Sequence, residues 1–296
     1  MNLNKYLEKA EVLVEALPYI QRFNRKIIVV KYGGSAMLDE SLMNHVIEDV
    51  VLLKLCGFKP VVVHGGGKEI SRGMKKAGVE PKFYNGLRIT DADTLEIAEM
   101  VLGKVNSDLV TLAQNLGVRA VGISGKDGRL MAAEQAKPDG KDIGYVGTVK
   151  HVDTKIIYDL LDDDFLPIIY PIGIGEDGQS FNINGDYAAE AIAEALKADK
   201  LAFLTDTSGV YEDINDEDSF VSELYTDEAK EMIEEGIITG GMIPKVQNCL
   251  KAIEGGVNRV HILDGRIPHC LLLEIFTDRG CGTAIMNPEE TRYYNQ

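Results

Sequence analysis

Ile27-Ile28-Val29-Val30-Lys31 runs directly into Tyr32-Gly33-Gly34-Ser35, and Val61-Val62-Val63-His64 runs into Gly65-Gly66-Gly67. The same unit of apolar run, glycine turn and helical pattern recurs along the chain. Further apolar runs lie at Val118–Ile123, Leu166–Ile172, Leu201–Thr205 and Val257–Leu263. Helical periodicity falls between several of them, at Leu42–Cys56, Thr94–Leu116, Asp186–Leu196 and Pro244–Ile253. Strands that are apolar throughout, rather than alternating, are buried on both faces. Helices between them make the sheet mainly parallel. The expected fold is therefore α/β. Residues 126–150 break the rhythm, and their glycines (Gly128, Gly140, Gly144, Gly147) predict short β-hairpins at the edge of one lobe.

Upstream of the first strand, residues 1–26 predict an appended helix. Leu3, Leu7, Ala10, Val14 and Leu17 form an apolar stripe at helical spacing, and Pro18 should interrupt it. Two partners fit that stripe, the helix's own domain or another subunit. The 296 residues carry 31 basic and 47 acidic side chains, a net charge of −16. That balance gives no footprint for nucleic acid or an anionic membrane. Eleven acids crowd Glu212–Glu235, which favours a solvated loop and helix face over a metal site. The cysteines (Cys56, Cys249, Cys270, Cys281) make no CxxC pair, as expected of free thiols in a reducing compartment. With no long apolar run and no signal-peptide core, the chain is expected to be soluble and cytoplasmic.

Glycines at strand ends let backbone N–H groups approach an anion, and the following helix adds its positive end. Each loop alone also suits a tight turn; two in tandem, with Lys31 before one, favour anion binding. No GxxxxGK[ST] loop, dinucleotide GxGxxG or protein-kinase catalytic loop is present. The groups that phosphoryl transfer needs are nevertheless here, since that reaction depends on positioned cations. Lys31 ends the first strand, and Lys245 follows Gly240-Gly241-Met242-Ile243-Pro244. Asp186 begins a helix after Asn182-Ile183-Asn184-Gly185, where a helix cap is an equal reading. Arg88, in Asn85-Gly86-Leu87-Arg88, is either a carboxylate clamp or a surface arginine.

Six motifs in order, Lys31–Gly34, His64–Gly67, Asn85–Thr90, Asn182–Asp186, Leu204–Val210 and Gly236–Lys245, resemble the amino-acid kinase family. Within it they resemble the N-acetylglutamate kinases, and the N-terminal helix with the segment Gly265–Gly282 resembles the arginine-inhibited branch. The resemblance covers residues 27 to about 286. It implies a three-layer αβα sandwich around a mainly parallel open sheet in two lobes. Residues 1–26 would be an interlacing helix, 27–196 the amino-acid lobe and 197–296 the ATP lobe. Carried over residue by residue, Lys31, Lys245 and Asp186 would be catalytic, Asp186 orienting both lysines. Gly33, Gly34, Gly66, Gly67, Arg88, Asn182 and Asn184 would bind N-acetyl-L-glutamate. Asp206, Thr207, Ser208, Gly209, Val210, Tyr211, Ile237, Ile238 and Thr239 would border ATP, which brings Mg²⁺ with its phosphates.

The implied reaction is in-line attack of the γ-carboxylate on ATP without a phosphoenzyme, an early step of arginine synthesis. A carboxylate is already ionised at neutral pH, so no general base is needed, and His64 reads as structural. Tyr19, Lys200, Glu274 and Gly280 are the implied sites for arginine as inhibitor, in a hexamer built as a trimer of dimers. Rival readings are a catalytically silent arginine sensor and a kinase for a homologous acid such as aminoadipate.

Overall fold

The computed structural model describes residues 3–34, 37, 39–277 and 280–289. The chain opens with α1 (Leu3–Glu15), α2 (Leu17–Phe23), β1 (Ile27–Tyr32), α3 (Glu40–Leu55), β2 (Lys59–His64) and α4 (Gly67–Lys76). It continues through β3 (Phe83–Tyr84), β4 (Leu87–Arg88), α5 (Ala92–Asn115), β5 (Ala120–Ser124), β6 (Met131–Gln135) and β7 (Val146–Val152). Next come α6 (Lys155–Asp162), β8 (Leu166–Tyr170), β9 (Ile172–Ile174), β10 (Ser180–Ile183), α7 (Gly185–Ala195) and β11 (Lys200–Thr205). The last part comprises β12 (Val210–Tyr211), β13 (Phe220–Val221), β14 (Glu223–Tyr225), α8 (Thr226–Glu234) and α9 (Met242–Glu254). It ends with β15 (Arg259–Asp264), α10 (Cys270–Phe276) and β16 (Thr283–Met286).

Eight strands form one sheet in the order β14-β16-β15-β11-β1-β2-β8-β5. Pairing is parallel from β15 to β5, and β16 turns antiparallel against β15. Successive residues of β1 serve opposite faces. Val29 joins Val61, Val63 and Leu201 beneath α7 and α9, whose Ala188, Ile192, Val246 and Cys249 cover them. Ile28 and Val30 join Val62 and Ala202 beneath α3, α5 and α10, through Ile47, Val50, Leu109 and Leu271. Helices on both sides explain why β11 and β15 are buried along their whole length. The molecule is an αβα sandwich.

Two local expectations change. Pro18 sits in the first turn of α2, where its missing N–H is harmless, and the helix breaks at Ala16. Residues 126–150 do contain antiparallel strands, but β6 and β7 do not stand as separate hairpins. They close with β9 and β10 into a four-stranded unit, β10 pairing parallel with β7. The acidic stretch forms a loop, β13, β14 and α8, and all its acids except Glu223 are exposed, as expected of a solvated face. Among the described residues no helix is long and apolar enough to cross a membrane, and the four cysteines are free.

Candidate active site

Parallel strands present all their C-terminal ends at one edge, and in open α/β sheets ligands bind there. Lys31 near the end of β1, the Gly65–Gly67 turn after β2 and Thr205 at the end of β11 meet at this edge. Gly34 takes a positive φ of 77°, and a Cβ there would come within 2.8 Å of Asp206 Oδ1. The first glycine turn is thus closed against the start of the next loop, which a side chain would block.

Asp186 lies in the first turn of α7, not at its cap. The cap is Asn184, whose side-chain oxygen accepts from the Asp186 N–H at 2.8 Å. That leaves the Asp186 carboxylate free to pair with Lys31, Nζ to Oδ1 2.8 Å. Lys245, in the first turn of α9, donates instead to Thr205 Oγ1 and, at 3.5 Å, to Thr207 Oγ1. Asp186, expected to orient both lysines, bonds Lys31 directly and makes no such contact with Lys245. Asp186 reaches Lys245 through its field alone. Burial pushes the Lys245 ammonium below its ordinary pKa; Asp186 and Asp206 oppose that shift, and Lys31 adds to it.

Two cavities of about 210 Å³ each meet at this ion pair. All seven predicted acid-binding residues, Gly33, Gly34, Gly66, Gly67, Arg88, Asn182 and Asn184, line the first. Arg88 is not a surface arginine, with 8% of its area exposed. One guanidinium nitrogen donates to Gly67 O (2.6 Å) and Ser71 Oγ (2.9 Å), and the other lies 3.2 Å from Met74 Sδ. The Phe83 ring lies 4.8 Å from its centre. These contacts hold the cation beside the N-terminus of α4, so guanidinium and helix end face one cavity with the same sign of potential. Asn182 donates to Thr90 Oγ1 (3.3 Å), which donates to Arg88 O (2.8 Å), tying Asn182 and Arg88 to one network.

The second cavity is lined by Lys31, Gly34, Asp186, Asp206, Lys245 and Asn248, with apolar walls from Phe203, Leu204 and Ile262. Of the predicted nucleotide residues, Asp206 lines it and Thr207 lies against Lys245. Ser208, Gly209, Val210, Tyr211, Ile237, Ile238 and Thr239 are outside its lining. Val210 and Tyr211 form β12, paired antiparallel with β13, Val210 N donates to Thr283 Oγ1 (2.8 Å), and Ile238 is buried. Asn248 was not anticipated. Its position one turn after Lys245 on α9 was the available signal.

Beneath the glycine turn sits His64, read as structural from the sequence, with a partner, Asn106, that was not anticipated. His64 is fully buried, and burial lowers its pKa to about 4, so the ring is neutral. Asn106 Nδ2 donates to His64 Nε2 (3.1 Å) and to Ile168 O (2.9 Å). The ring must then carry its proton on Nδ1 and donate to Gly65 O (2.7 Å). His64 is structural, and it aims the peptide that opens the turn.

The four residues assigned to an effector lie elsewhere, around α2, β11 and α10. Lys200 is buried with its Nζ 3.2 Å from His261 Nε2 and 4.7 Å from the Phe23 ring centre. His261 Nδ1 meets Glu274 Oε1 at 2.7 Å, and Glu274 Oε2 accepts from the Cys281 and Gly282 amides at 2.8 and 3.0 Å. Burial, with Arg259 adding, lowers Lys200 to about 7. Burial alone would raise Glu274, but the bonds from His261 and the two amides outweigh it and hold the carboxyl at about 2. Gly280, at φ 64°, abuts the Glu274 carboxylate, and Tyr19 packs against the core beneath α3 and α10.

Similarity to known proteins agrees with this geometry. The chain is 55% identical over 283 residues to an acetylglutamate kinase of Campylobacter jejuni subsp. doylei, covering 96% of this chain and all of that protein. N-acetylglutamate synthase of Neisseria gonorrhoeae, solved with coenzyme A and N-acetyl-glutamate, superposes over 95% of this chain with a TM-score of 0.84 at 28% identity. This chain spans 64% of the synthase's length. The same synthase solved with L-arginine superposes over 94% with a TM-score of 0.80. Residues 26–264 match the amino acid kinase family, and the chain belongs to it.

Proposed function

We propose that the chain catalyses ATP-dependent phosphorylation of the γ-carboxylate of N-acetyl-L-glutamate, giving N-acetyl-L-glutamyl 5-phosphate. The observation that carries this reading is the pair of cavities joined at Lys31 and Asp186. An acid held in one and a nucleotide in the other would have their reacting groups at the shared wall. Arg88 and the start of α4 suit the α-carboxylate, and Asn182 and the glycine turns suit the rest of the acid. The γ-carboxylate oxygen then attacks the terminal phosphorus of MgATP in line, as the bond to the bridging oxygen breaks and ADP leaves. Lys31 and Lys245 neutralise the charge spread over the equatorial oxygens. Asp186 holds Lys31 in place. The Mg²⁺ enters with the nucleotide as part of the substrate. On this reading residues 27–196 form the acid lobe and 197–296 the nucleotide lobe. Ser208–Tyr211 and Ile237–Thr239 border the nucleotide outside the cavity described.

Arginine as feedback inhibitor belongs to the same proposal. The synthase relative was solved with L-arginine, and Lys200, Glu274 and Gly280 gather at one place through His261, with Tyr19 packed on the core beneath α10. The exposed apolar side chains of α1, Leu7, Val12, Leu13 and Val14, support α1 as a subunit contact in a hexamer. A coupled ADP-release assay with N-acetylglutamate, glutamate, aspartate and aminoadipate side by side tests the reaction. Acetylglutamate should give the highest kcat/KM. Preference for another acid would reassign the substrate, and no turnover with any would favour a silent arginine-binding protein.

A further inference from the structure

We propose that His45, Glu48 and His269 form a site for a divalent transition metal that clips helix α3 to the start of α10. None of the three takes part in the cavities above. The ligand atoms they offer lie within 4.8 Å of one another. His45 and Glu48 are three residues apart on α3, so one face of that helix presents both. His269 comes from the N-cap of α10, in the left-handed conformation (φ 58°, ψ 32°) that a non-glycine residue seldom adopts. Its ring lies 4.7 Å from the His45 ring, tilted by 53°.

Two details separate this cluster from a chance meeting of polar side chains. Asp49, fully buried one residue beyond Glu48, contacts His269 Nδ1 at 2.6 Å. An imidazole that donates from Nδ1 to a carboxylate is left with its Nε2 lone pair for a cation. Metal-bound histidines are usually oriented in this way. Second, His45 Nδ1 is enclosed and has no hydrogen-bond partner. Two imidazoles and a carboxylate suit Zn²⁺, Co²⁺ or Ni²⁺. The Mg²⁺ of a nucleotide prefers oxygen ligands and lies outside this chemistry. Glu48 is exposed and the His269 side chain is 43% exposed, so water can complete the coordination. A bound ion would fix the first turn of α10, the helix that carries Glu274.

Full-length protein stripped with a chelator would be titrated with Co²⁺ and, separately, melted with and without Zn²⁺. One Co²⁺ per chain should bind, with visible ligand-field absorption and no near-ultraviolet sulfur-to-metal band. Zn²⁺ should raise the melting temperature, because it binds the folded chain. In His45→Ala, Co²⁺ affinity should fall by at least about tenfold and the Zn²⁺ shift should vanish. The metal-free melting temperature of this variant checks that it folds, and Glu48→Gln at an exposed position repeats the test. Absence of saturable binding, equal binding in both variants, or a thiolate band pointing to Cys56 or Cys281 would each overturn the site.

Discussion

The charged cluster at the sheet edge and the charged cluster beside α10 are separated by burial. At the sheet edge, Lys31 and Asp186 form a 2.8 Å pair whose side chains are 13% and 31% exposed, on the wall of two cavities. Beside α10, Lys200, His261 and Glu274 form a chain of contacts closed off from solvent, with Arg259 buried next to it. The first pair is partly open to the two cavities, as the proposed reaction requires. Its charges can be spent on a substrate because they are not wholly committed to each other. In the second group desolvation moves Lys200 down to about 7, whereas at Glu274 three donors outweigh it and hold the carboxyl at about 2. A ligand entering there would have to replace those donors, which suits an effector that shifts an equilibrium more than a substrate that turns over.

The largest test of this contrast removes a cation from the open centre. Lys31→Ala and Lys245→Ala should each lower kcat by about a hundredfold or more, with a smaller change in KM for acetylglutamate. Steady-state kinetics with both substrates varied decides it. Wild-type kcat in either variant would show that the cation is absent from the transition state.

Arg88→Ala should act on binding rather than on chemistry. Hydrogen bonds to charged groups are worth about 1.5–3 kcal/mol, so KM for acetylglutamate should rise by about tenfold to a hundredfold. KM for ATP should stay near its original value, because Arg88 lines the first cavity and not the second. A defect confined to ATP would reverse the assignment of the two lobes.

The open centre was largely legible because its parts are glycine turns and charges next to strand ends, all local signals. Lys31, Gly33, Gly66 and Gly67 needed no knowledge of distant contacts. The hydrogen bonds were not legible. Asn184 rather than Asp186 caps α7, and Lys245 turns to Thr205 and Thr207, choices made by side-chain reach within a few ångströms. His64 and Asn106 lie far apart in sequence, and nothing local in either announces the partner. The closed cluster was legible even less. Burial of Lys200, Arg259 and His261 depends on α2 and α10 covering the same strands, a tertiary fact that apolar periodicity does not encode.

The closed cluster makes a smaller, pH-dependent prediction. Lys200 has a folded value of about 7 against an ordinary 10.5, so between those limits the unfolded chain holds the extra proton. Stability attributable to this group therefore rises with pH across that window, and below about 7 its penalty is complete. Lys200→Met removes the penalty. Its melting temperature should exceed the wild type's at neutral pH by a few degrees, at about 2–4 °C per kcal/mol. That advantage should shrink as pH approaches the ordinary lysine value. Calorimetry at two pH values checks it, and an equal shift at both would mean that Lys200 is not desolvated in solution.

The last prediction concerns the element expected to leave catalysis untouched. On the proposed reading, deletion of residues 1–15, α1 included, should convert a hexamer to dimers and weaken arginine inhibition while kcat stays at the wild-type level. The cut has to fall before α2. Phe23, at the end of α2, is 3% exposed, stacks with Phe58 at 5.9 Å and covers Lys200. Cutting at residue 25 would open the closed cluster as well as remove a helix. By contrast Leu7, Val12, Leu13 and Val14 on α1 are 51–72% exposed, so their removal leaves the core of this chain intact. An isolated helix of this length is marginal in water and gains stability by burying its apolar stripe. If that stripe is buried on another subunit, its loss removes an interface. An effector acts by binding two states of an assembly unequally, so uncoupled dimers should respond less. Sedimentation and arginine titration of the shortened chain measure both effects. A truncated protein that stays hexameric with full arginine sensitivity would leave α1 without a role in the assembly, and would place the coupling entirely within the closed cluster.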